Sequence, residues 1–184
     1  MADIPLILTL DFHGVPHRWI TWQQSCYYYA KNLVAWTLGD PFQILHGGRN
    51  RLSGVQSIMD IHPVIAIRGK PWTRFAAPTL TNTTLFRRDG HLCMYCGNPF
   101  SEGQLTRDHV HPVSKGGKDV WTNVVSACRR CNTHKGALTP EQAGMKLLAV
   151  PYTPNQYEYL FLTGRRILGD QMDFLRAGFH HLQA

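Results

Sequence analysis

Four of the five cysteines in this 184-residue chain form two Cys-x-x-Cys pairs, Cys93 with Cys96 and Cys128 with Cys131. Each pair brings two thiolates within reach of one ion, and four sulfur ligands favour tetrahedral Zn²⁺. A zinc ion held by four sulfurs has no open position for water, so the spacing predicts a structural metal rather than a catalytic one. The intervening residues 97–127 form a longer segment than a minimal zinc ribbon needs, which indicates a folded element between the pairs.

Four polar residues around the second pair have no part in binding zinc. They are Asp108, His109, Asn123 and Asn132. A neutral imidazole can accept a proton at physiological pH, and carboxylate and amide oxygens are the ligands that a hard divalent cation prefers. The sequence therefore predicts a second site, in which a proton acceptor lies beside oxygen ligands for a cation.

The order of these motifs resembles the HNH endonucleases, the nucleases of the ββα-metal (His-Me finger) class. The resemblance is carried by the Asp-His-x-x-Pro segment at 108–112, by Asn123, and by the Cys-Asn-x-x-Lys-Gly ending at 131–136. It covers roughly residues 85–145. Each short motif is weak alone, but their order and spacing together are specific.

The resemblance implies a role for each polar residue of the second site. Asp108 and Asn132 would bind a catalytic Mg²⁺ or Mn²⁺, with His134 as the alternative to Asn132. His109 would be the general base that activates water, and the side chain of Asn123 would hold that histidine in position. The cysteines would bind the structural Zn²⁺.

The implied function is metal-dependent hydrolysis of DNA phosphodiester bonds, leaving 5′-phosphate and 3′-hydroxyl ends. An RNA nuclease stays open, because a 2′-hydroxyl does not change the residues that the reaction needs. A non-catalytic zinc-ribbon module that binds nucleic acid is a further alternative. It explains the cysteines and the charge, but it does not require the four polar residues together.

The net charge of +7 and the pI of about 9.4 favour a polyanionic partner such as DNA. Six basic residues in and around the motifs are predicted to contact phosphates, which gives binding with little reading of bases. These residues are Arg107, Lys115, Lys118, Arg129, Arg130 and Lys135.

The sequence also bears on the compartment. No stretch reaches the ~18 apolar residues of a membrane span, and the N-terminus has no basic region of the kind that starts a signal peptide. Cysteines in metal spacing, with Cys26 left unpaired, favour a reducing compartment. We therefore expect a cytoplasmic protein with no membrane partner, and the resemblance favours a bacterial or phage origin.

The expected fold class is α+β, in three parts. Residues 1–80 form a small α+β unit, residues 81–150 the ββα-metal core with its four-cysteine zinc site, and residues 151–184 a C-terminal amphipathic helix. In the first part, strands are predicted at 6–10, 42–45, 55–61 and 64–68. A capping box at Thr21 begins a helix that is expected to run to about Trp36.

Inside the core, the Asp-His pair is expected at the end of the first strand. Adjacent residues in a regular strand point to opposite faces, so Asp108 and His109 can serve one site only where the backbone leaves the pleat. Pro112 cannot donate to a strand ladder, which favours a strand that ends there. The second strand is expected near Val124, and a helix is expected to start around Asn132.

Overall fold

The computed structural model describes residues 4–69 and 78–179 and confirms a mixed α+β fold. In these residues the strands are β1 (Ile7–Asp11), β2 (Pro16–Ile20), β3 (Val34–Leu38), β4 (Gln43–Arg49), β5 (Gln56–Ile61), β6 (Val64–Ile67), β7 (Leu105–His109) and β8 (Val124–Cys128). The helices are α1 (Trp22–Ala30), α2 (Asn82–Arg88), α3 (Arg129–Lys135), α4 (Gln156–Thr163) and α5 (Gly169–Arg176).

The chain divides into two compact units. Residues 1–76 and 156–184 form the first, called here the sheet unit, and residues 77–155 form the second, called here the cysteine unit. None of the helices within the described residues is both long and apolar enough to cross a membrane.

The sheet unit is built on a four-stranded sheet in the order β2-β1-β6-β3. Strand β1 runs parallel to β6, and its five residues are all buried. Leu8 and Leu10 share a hydrophobic cluster with Leu160 of α4 and Leu175 of α5. Ile7 belongs to a second cluster that includes aromatic residues of α1. Because side chains alternate along a strand, these two clusters cover both faces of β1.

Helix α1 begins as the sequence predicts but ends early. The Thr21 hydroxyl accepts from the backbone N–H of Gln24, which completes the capping box. The helix ends at Ala30, and Asn32 has a positive φ of 53°. The prediction of a helix to Trp36 was wrong, because these residues form β3 and pair with β6. Tertiary pairing overrides weak helical propensity here.

The other predicted strands of the sheet unit are confirmed. Strands β4 and β5 pair antiparallel as a separate two-stranded sheet. The segment predicted as one C-terminal helix contains two, α4 and α5. Gly164 directly follows α4, and Arg166 has a positive φ of 49°, a conformation that cannot continue an α-helix. Residues 180–184 of the predicted helix lie outside the described residues.

The cysteine unit contains the predicted ββα arrangement. Strands β7 and β8 pair antiparallel, with Asp108 opposite Val125 and His109 opposite Val124. The first strand therefore ends at the Asp-His pair, as expected. Helix α3 follows β8 directly and begins at Arg129 rather than near Asn132.

Arg88, the last residue of α2, joins this helix to the turn that precedes β8. Its side chain is 1% exposed and forms an ion pair with Asp89 at 2.8 Å. The guanidinium also donates to the backbone carbonyls of Trp121 at 2.9 Å, Tyr152 at 2.9 Å and Val124 at 2.8 Å. One buried cation thus binds three carbonyls from two other chain segments, which fixes the start of β8.

Replacing Arg88 by Met should destabilise the cysteine unit. The change removes the Arg88 donor from three backbone carbonyls and leaves the Asp89 carboxylate without its cation, so the free energy of unfolding should fall by about 3–5 kcal/mol. Hydrogen–deuterium exchange of peptides from residues 77–155 measures this loss unit by unit. Arg130→Met at an exposed position is the control. A loss at Arg88 no larger than that of the control would contradict the assignment.

Candidate active site and cysteine cluster

The four paired cysteines gather into one cluster. The Sγ atoms of Cys93, Cys96, Cys128 and Cys131 all lie within 4.8 Å of one another. Cys128 ends β8, and its Sγ accepts from the backbone N–H of Cys131 at 3.5 Å in the first turn of α3. Four sulfur donors at this separation fit a thiophilic metal ion.

The thiols of the cluster do not ionise alike. Burial opposes ionisation of Cys93, but hydrogen bonds from the backbone of Cys128, Cys96 and Tyr95 outweigh it and lower the Cys93 pKa to about 7. Burial, together with the neighbouring thiols, raises the pKa of Cys131 well above its usual range. The negative charge of Cys93 thus opposes ionisation of Cys131, and a bound cation would offset that repulsion.

Asp108 is buried at the end of β7, with 4% of its surface exposed. One carboxylate oxygen accepts from the Tyr95 hydroxyl at 2.5 Å, and the other accepts from Lys135 Nζ at 3.0 Å. Lys135 also donates to the backbone carbonyl of His109 at 2.7 Å. A carboxylate oxygen has two lone pairs, so Asp108 keeps acceptor capacity for a cation.

Tyr95 is a site residue that sequence reasoning missed. It lies between the two cysteines of the first pair, and its hydroxyl links the cysteine cluster to Asp108. Burial, followed by the hydrogen bond and negative charge of Asp108, raises the pKa of Tyr95 far above its usual value. Tyr95 therefore stays a phenol and remains the donor. Nothing in the spacing of the motif signals this contact.

The structure corrects the prediction for Lys135. Expected to contact nucleic acid, its side chain is instead 1% exposed and paired with Asp108. Its ammonium is enclosed and cannot meet a phosphate in this conformation. The physical reason is the buried carboxylate, because a buried charge requires a partner of opposite sign.

His109 contacts a different set of side chains. Its Nε2 lies 2.9 Å from Oδ1 of Asp119, whose Oδ2 accepts from Arg107 Nη1 at 2.6 Å. Arg107 Nε in turn donates to Asn82 Oδ1 at 3.0 Å. Partial burial raises the pKa of Asp119, but hydrogen bonds and positive charge from Arg107 and His109 together outweigh it and bring that pKa below its usual value. No role for Asp119 was predicted from the sequence.

Asn123 fastens the chain that follows His109. Its Oδ1 accepts from the backbone N–H of His111 at 2.9 Å, and its Nδ2 donates to the carbonyls of His111 at 3.0 Å and Lys118 at 2.8 Å. The backbone carbonyl of Asn123 accepts from Val110 N–H at 2.9 Å. Asn123 thus acts on the backbone beside the histidine, not on its ring.

Asn132 lies on α3, half-buried, and faces β7. Its Nδ2 donates to Thr106 Oγ1 at 2.8 Å, and within the described residues its Oδ1 has no hydrogen bond. Thr106 and Asp108 are two residues apart on β7 and therefore share a face. The amide oxygen of Asn132 is thus available on the side of the strand that carries Asp108, whereas His134 is exposed.

The remaining predicted phosphate contacts lie on the surface of the cysteine unit. Lys115 Nζ donates to Gln142 Oε1 at 2.8 Å, and Arg129 Nη2 donates to the Gly103 carbonyl at 3.2 Å. Four of the residues predicted to contact phosphate are exposed: Lys115, Lys118, Arg129 and Arg130. Their contact with nucleic acid stays a prediction.

Comparison with known proteins shows what the segment that carries this site is similar to. Residues 93–148 match the sequence profile of the HNH endonuclease family. The chain is also 26% identical over 89 residues to the CRISPR-associated endonuclease Cas9 of Corynebacterium diphtheriae, an alignment that covers 48% of this chain. The chain spans only 8% of the length of that protein. The family match confirms the resemblance seen in the sequence and supports nuclease activity in general.

Replacing Lys135 by Met should destabilise the cysteine unit, because Asp108 would be left buried without its cation. The expected loss in the free energy of unfolding is about 3–5 kcal/mol. The double variant Asp108→Asn with Lys135→Met should recover part of it, so a double-mutant cycle isolates the pair. Lys118→Met is the exposed control. A coupling energy near zero would contradict the buried pair.

Proposed function

We propose that this chain is a metal-dependent endonuclease that hydrolyses DNA phosphodiester bonds. The observation that carries the proposal is the end of β7, where a buried carboxylate and an imidazole emerge at adjacent positions, Asp108 and His109. The segment that holds them matches the HNH endonuclease family.

His109 is the proposed general base. A neutral imidazole takes one proton from a water molecule, and the resulting hydroxide attacks the phosphorus while the bond to the 3′ oxygen breaks. The ring lies at the protein surface, with 24% of the side chain exposed. It is therefore open to a phosphodiester and to water. Asn123 supports this role by fixing the backbone that follows.

Asp108 and Asn132 are the proposed ligands of the catalytic cation, Mg²⁺ or Mn²⁺. Their oxygens suit a hard cation, and both residues serve the same face of β7. Such a cation would stabilise the negative charge on the phosphoryl oxygens and on the departing 3′ oxygen. Lys135 donates to Asp108 and to the His109 carbonyl, which holds the carboxylate in place.

Asp108 and His109 contact different partners, and this separation suits the reaction. In an in-line displacement the attacking and departing oxygens lie on opposite sides of the phosphorus. A base on one side of the strand end and cation ligands on the other match these two positions. Because β7 ends at His109, one phosphodiester would lie across the strand end, between the base and the cation ligands.

The cysteine cluster is the proposed site of a structural Zn²⁺. Asn132 directly follows the ligand Cys131, and Tyr95 lies between the ligands Cys93 and Cys96. Both residues act on the proposed cation site, Asn132 as a ligand and Tyr95 through Asp108. We therefore propose that zinc positions the catalytic residues without taking part in the reaction.

DNA is the proposed partner. The net charge of +7 and the exposed Lys115, Lys118, Arg129 and Arg130 support binding to a phosphate backbone. Arg107 Nε and Nη1 already donate to Asn82 and Asp119, so only the rest of its guanidinium would be available to a phosphate. Four cysteines in metal spacing, with Cys26 left unpaired, support a cytoplasmic location.

The protein should carry about one zinc ion per chain. Cys96→Ser should lose most of the metal, whereas Cys26→Ser in the sheet unit should keep it; atomic emission spectrometry measures both. Chelation of zinc should abolish DNA cleavage in the presence of Mg²⁺. Full cleavage by zinc-free protein would show that the cluster does not position the site.

Cleavage of supercoiled plasmid tests the nuclease itself. Cleavage should require Mg²⁺ or Mn²⁺, stop in EDTA, and fall by about 10²-fold or more in His109→Ala. His46→Ala, at an exposed position of β4, is the matched control. A labelled RNA of the same sequence, added as competitor, separates DNA cleavage from RNA cleavage. Salt-sensitive DNA binding without cleavage in any metal would identify a binding module instead.

A further inference from the structure

The carboxylate of Asp119 bridges two side chains of β7. Its Oδ1 lies 2.9 Å from Nε2 of His109, and its Oδ2 lies 2.6 Å from Nη1 of Arg107. Arg107 and His109 are two residues apart and share a face of the strand. We infer that Asp119 is a positioning residue that holds the proton of the His109 imidazole on Nε2, which leaves Nδ1 as the atom that accepts a proton from water. The inference rests on the proposed function of His109.

The assignment of the two ring nitrogens follows from the donor and acceptor capacity of each group. An ionised carboxylate can only accept hydrogen bonds, and a neutral imidazole carries one N–H and one lone pair. Asp119 is ionised at neutral pH, since Arg107 and His109 more than offset its partial burial and lower its pKa. Nε2 must therefore be the donor. No hydrogen bond reaches Nδ1 from the described residues.

Arg107 determines which oxygen of Asp119 faces the histidine. Its Nη1 donates to Asp119, and its Nε is held by Asn82 on α2. A guanidinium has no acceptor atom and does not lose its proton in proteins, so the atom of residue 119 that faces it must be an acceptor. The second polar atom of residue 119 then faces His109. In Asp119 that atom is also an oxygen, whereas in an Asn variant it would be the NH₂ group.

The loop that carries Asp119 is fixed independently of the histidine. Asn123 Nδ2 donates to the carbonyl of Lys118, the residue before Asp119, at 2.8 Å. The same side chain holds the backbone of His111, two residues after His109. One asparagine thus ties the loop of the carboxylate to the strand end of the imidazole, which keeps the two groups in register.

When His109 accepts a proton on Nδ1, the ring becomes an imidazolium and its Nε2–H remains bound to Asp119. The carboxylate then faces a full positive charge and stabilises it, and Asp119 itself gains no proton. One proton leaves the attacking water and arrives on Nδ1, and the departing 3′ oxygen takes its proton from solvent.

Asp119→Asn provides a sharp test, because the amide cannot satisfy both neighbours as the carboxylate does. The amide oxygen should face Arg107, which leaves the NH₂ group to donate to Nε2 of His109. The ring proton should then move to Nδ1, and the turnover rate should fall by about 10²-fold or more. Asp119→Ala removes the constraint without reversing it, so the loss should be only about 10-fold.

Two measurements on the zinc-replete protein test this effect. Plasmid cleavage gives kcat and KM, and the loss in Asp119→Asn should lie in kcat. ¹⁵N NMR of protein labelled at histidine distinguishes protonated from unprotonated ring nitrogens, and His109→Ala assigns the His109 signals among the ten histidines. Glu102→Gln, the same change of charge at an exposed position of the cysteine unit, is the matched control.

The expected results are a proton on Nε2 in the native protein, a proton on Nδ1 in Asp119→Asn, and lower activity for Asn than for Ala at position 119. A proton on Nδ1 in the native protein, or Asp119→Asn with native activity, would overturn the inference. The NMR result does not depend on cleavage. If the native protein cleaves no DNA, the proposed function fails while the role of Asp119 is still decided.

Discussion

The buried ion pair between Asp108 and Lys135 is the interaction on which the candidate site depends. Asp108 stands near the end of β7 and Lys135 at the end of α3, and their side chains are 5% and 1% exposed. Two charges this deeply buried require each other, because neither can regain water without opening the structure. Lys135 also binds the carbonyl of His109, so the pair holds both residues of the Asp-His motif against the helix.

The other end of α3 is fixed by the cysteine cluster. Cys128 is the N-cap of the helix, and Cys131 lies in its first turn. Asn132 lies on α3 between the cysteine cluster and Lys135. It therefore cannot shift along β7 without breaking the contacts at one end of the helix. The first cysteine pair also constrains Asp108. Tyr95 lies between its two cysteines and donates to the carboxylate oxygen that Lys135 does not bind. The cluster therefore constrains both proposed cation ligands, although it contributes no atom to the cation site.

Local patterns in the sequence predicted the features of the fold and site that depend on neighbouring residues. They did not predict contacts between residues that are distant in the sequence. The cysteine spacing, the strand that ends at the Asp-His pair and the capping box at Thr21 each depend on neighbouring residues. Tyr95, Asp119 and the burial of Lys135 depend on residues that meet only in the folded chain. A buried lysine among exposed basic residues has no sequence signal of its own. Helix α1 was overextended for a related reason, because only pairing with β6 makes the residues after Asn32 a strand.

The alternation of side chains along β7 gives the site two separately supported halves. Thr106 and Asp108 face α3 and the cysteine cluster, whereas Arg107 and His109 face the loop of Asp119. That loop turns back through Gly117, where any Cβ would collide with the His111 carbonyl. The position of the imidazole thus depends on a close backbone approach, and the cation ligands depend on a helix fixed at both ends. A change in the loop can therefore alter the proposed base while the cation ligands stay in place, because the halves share only the backbone of one strand.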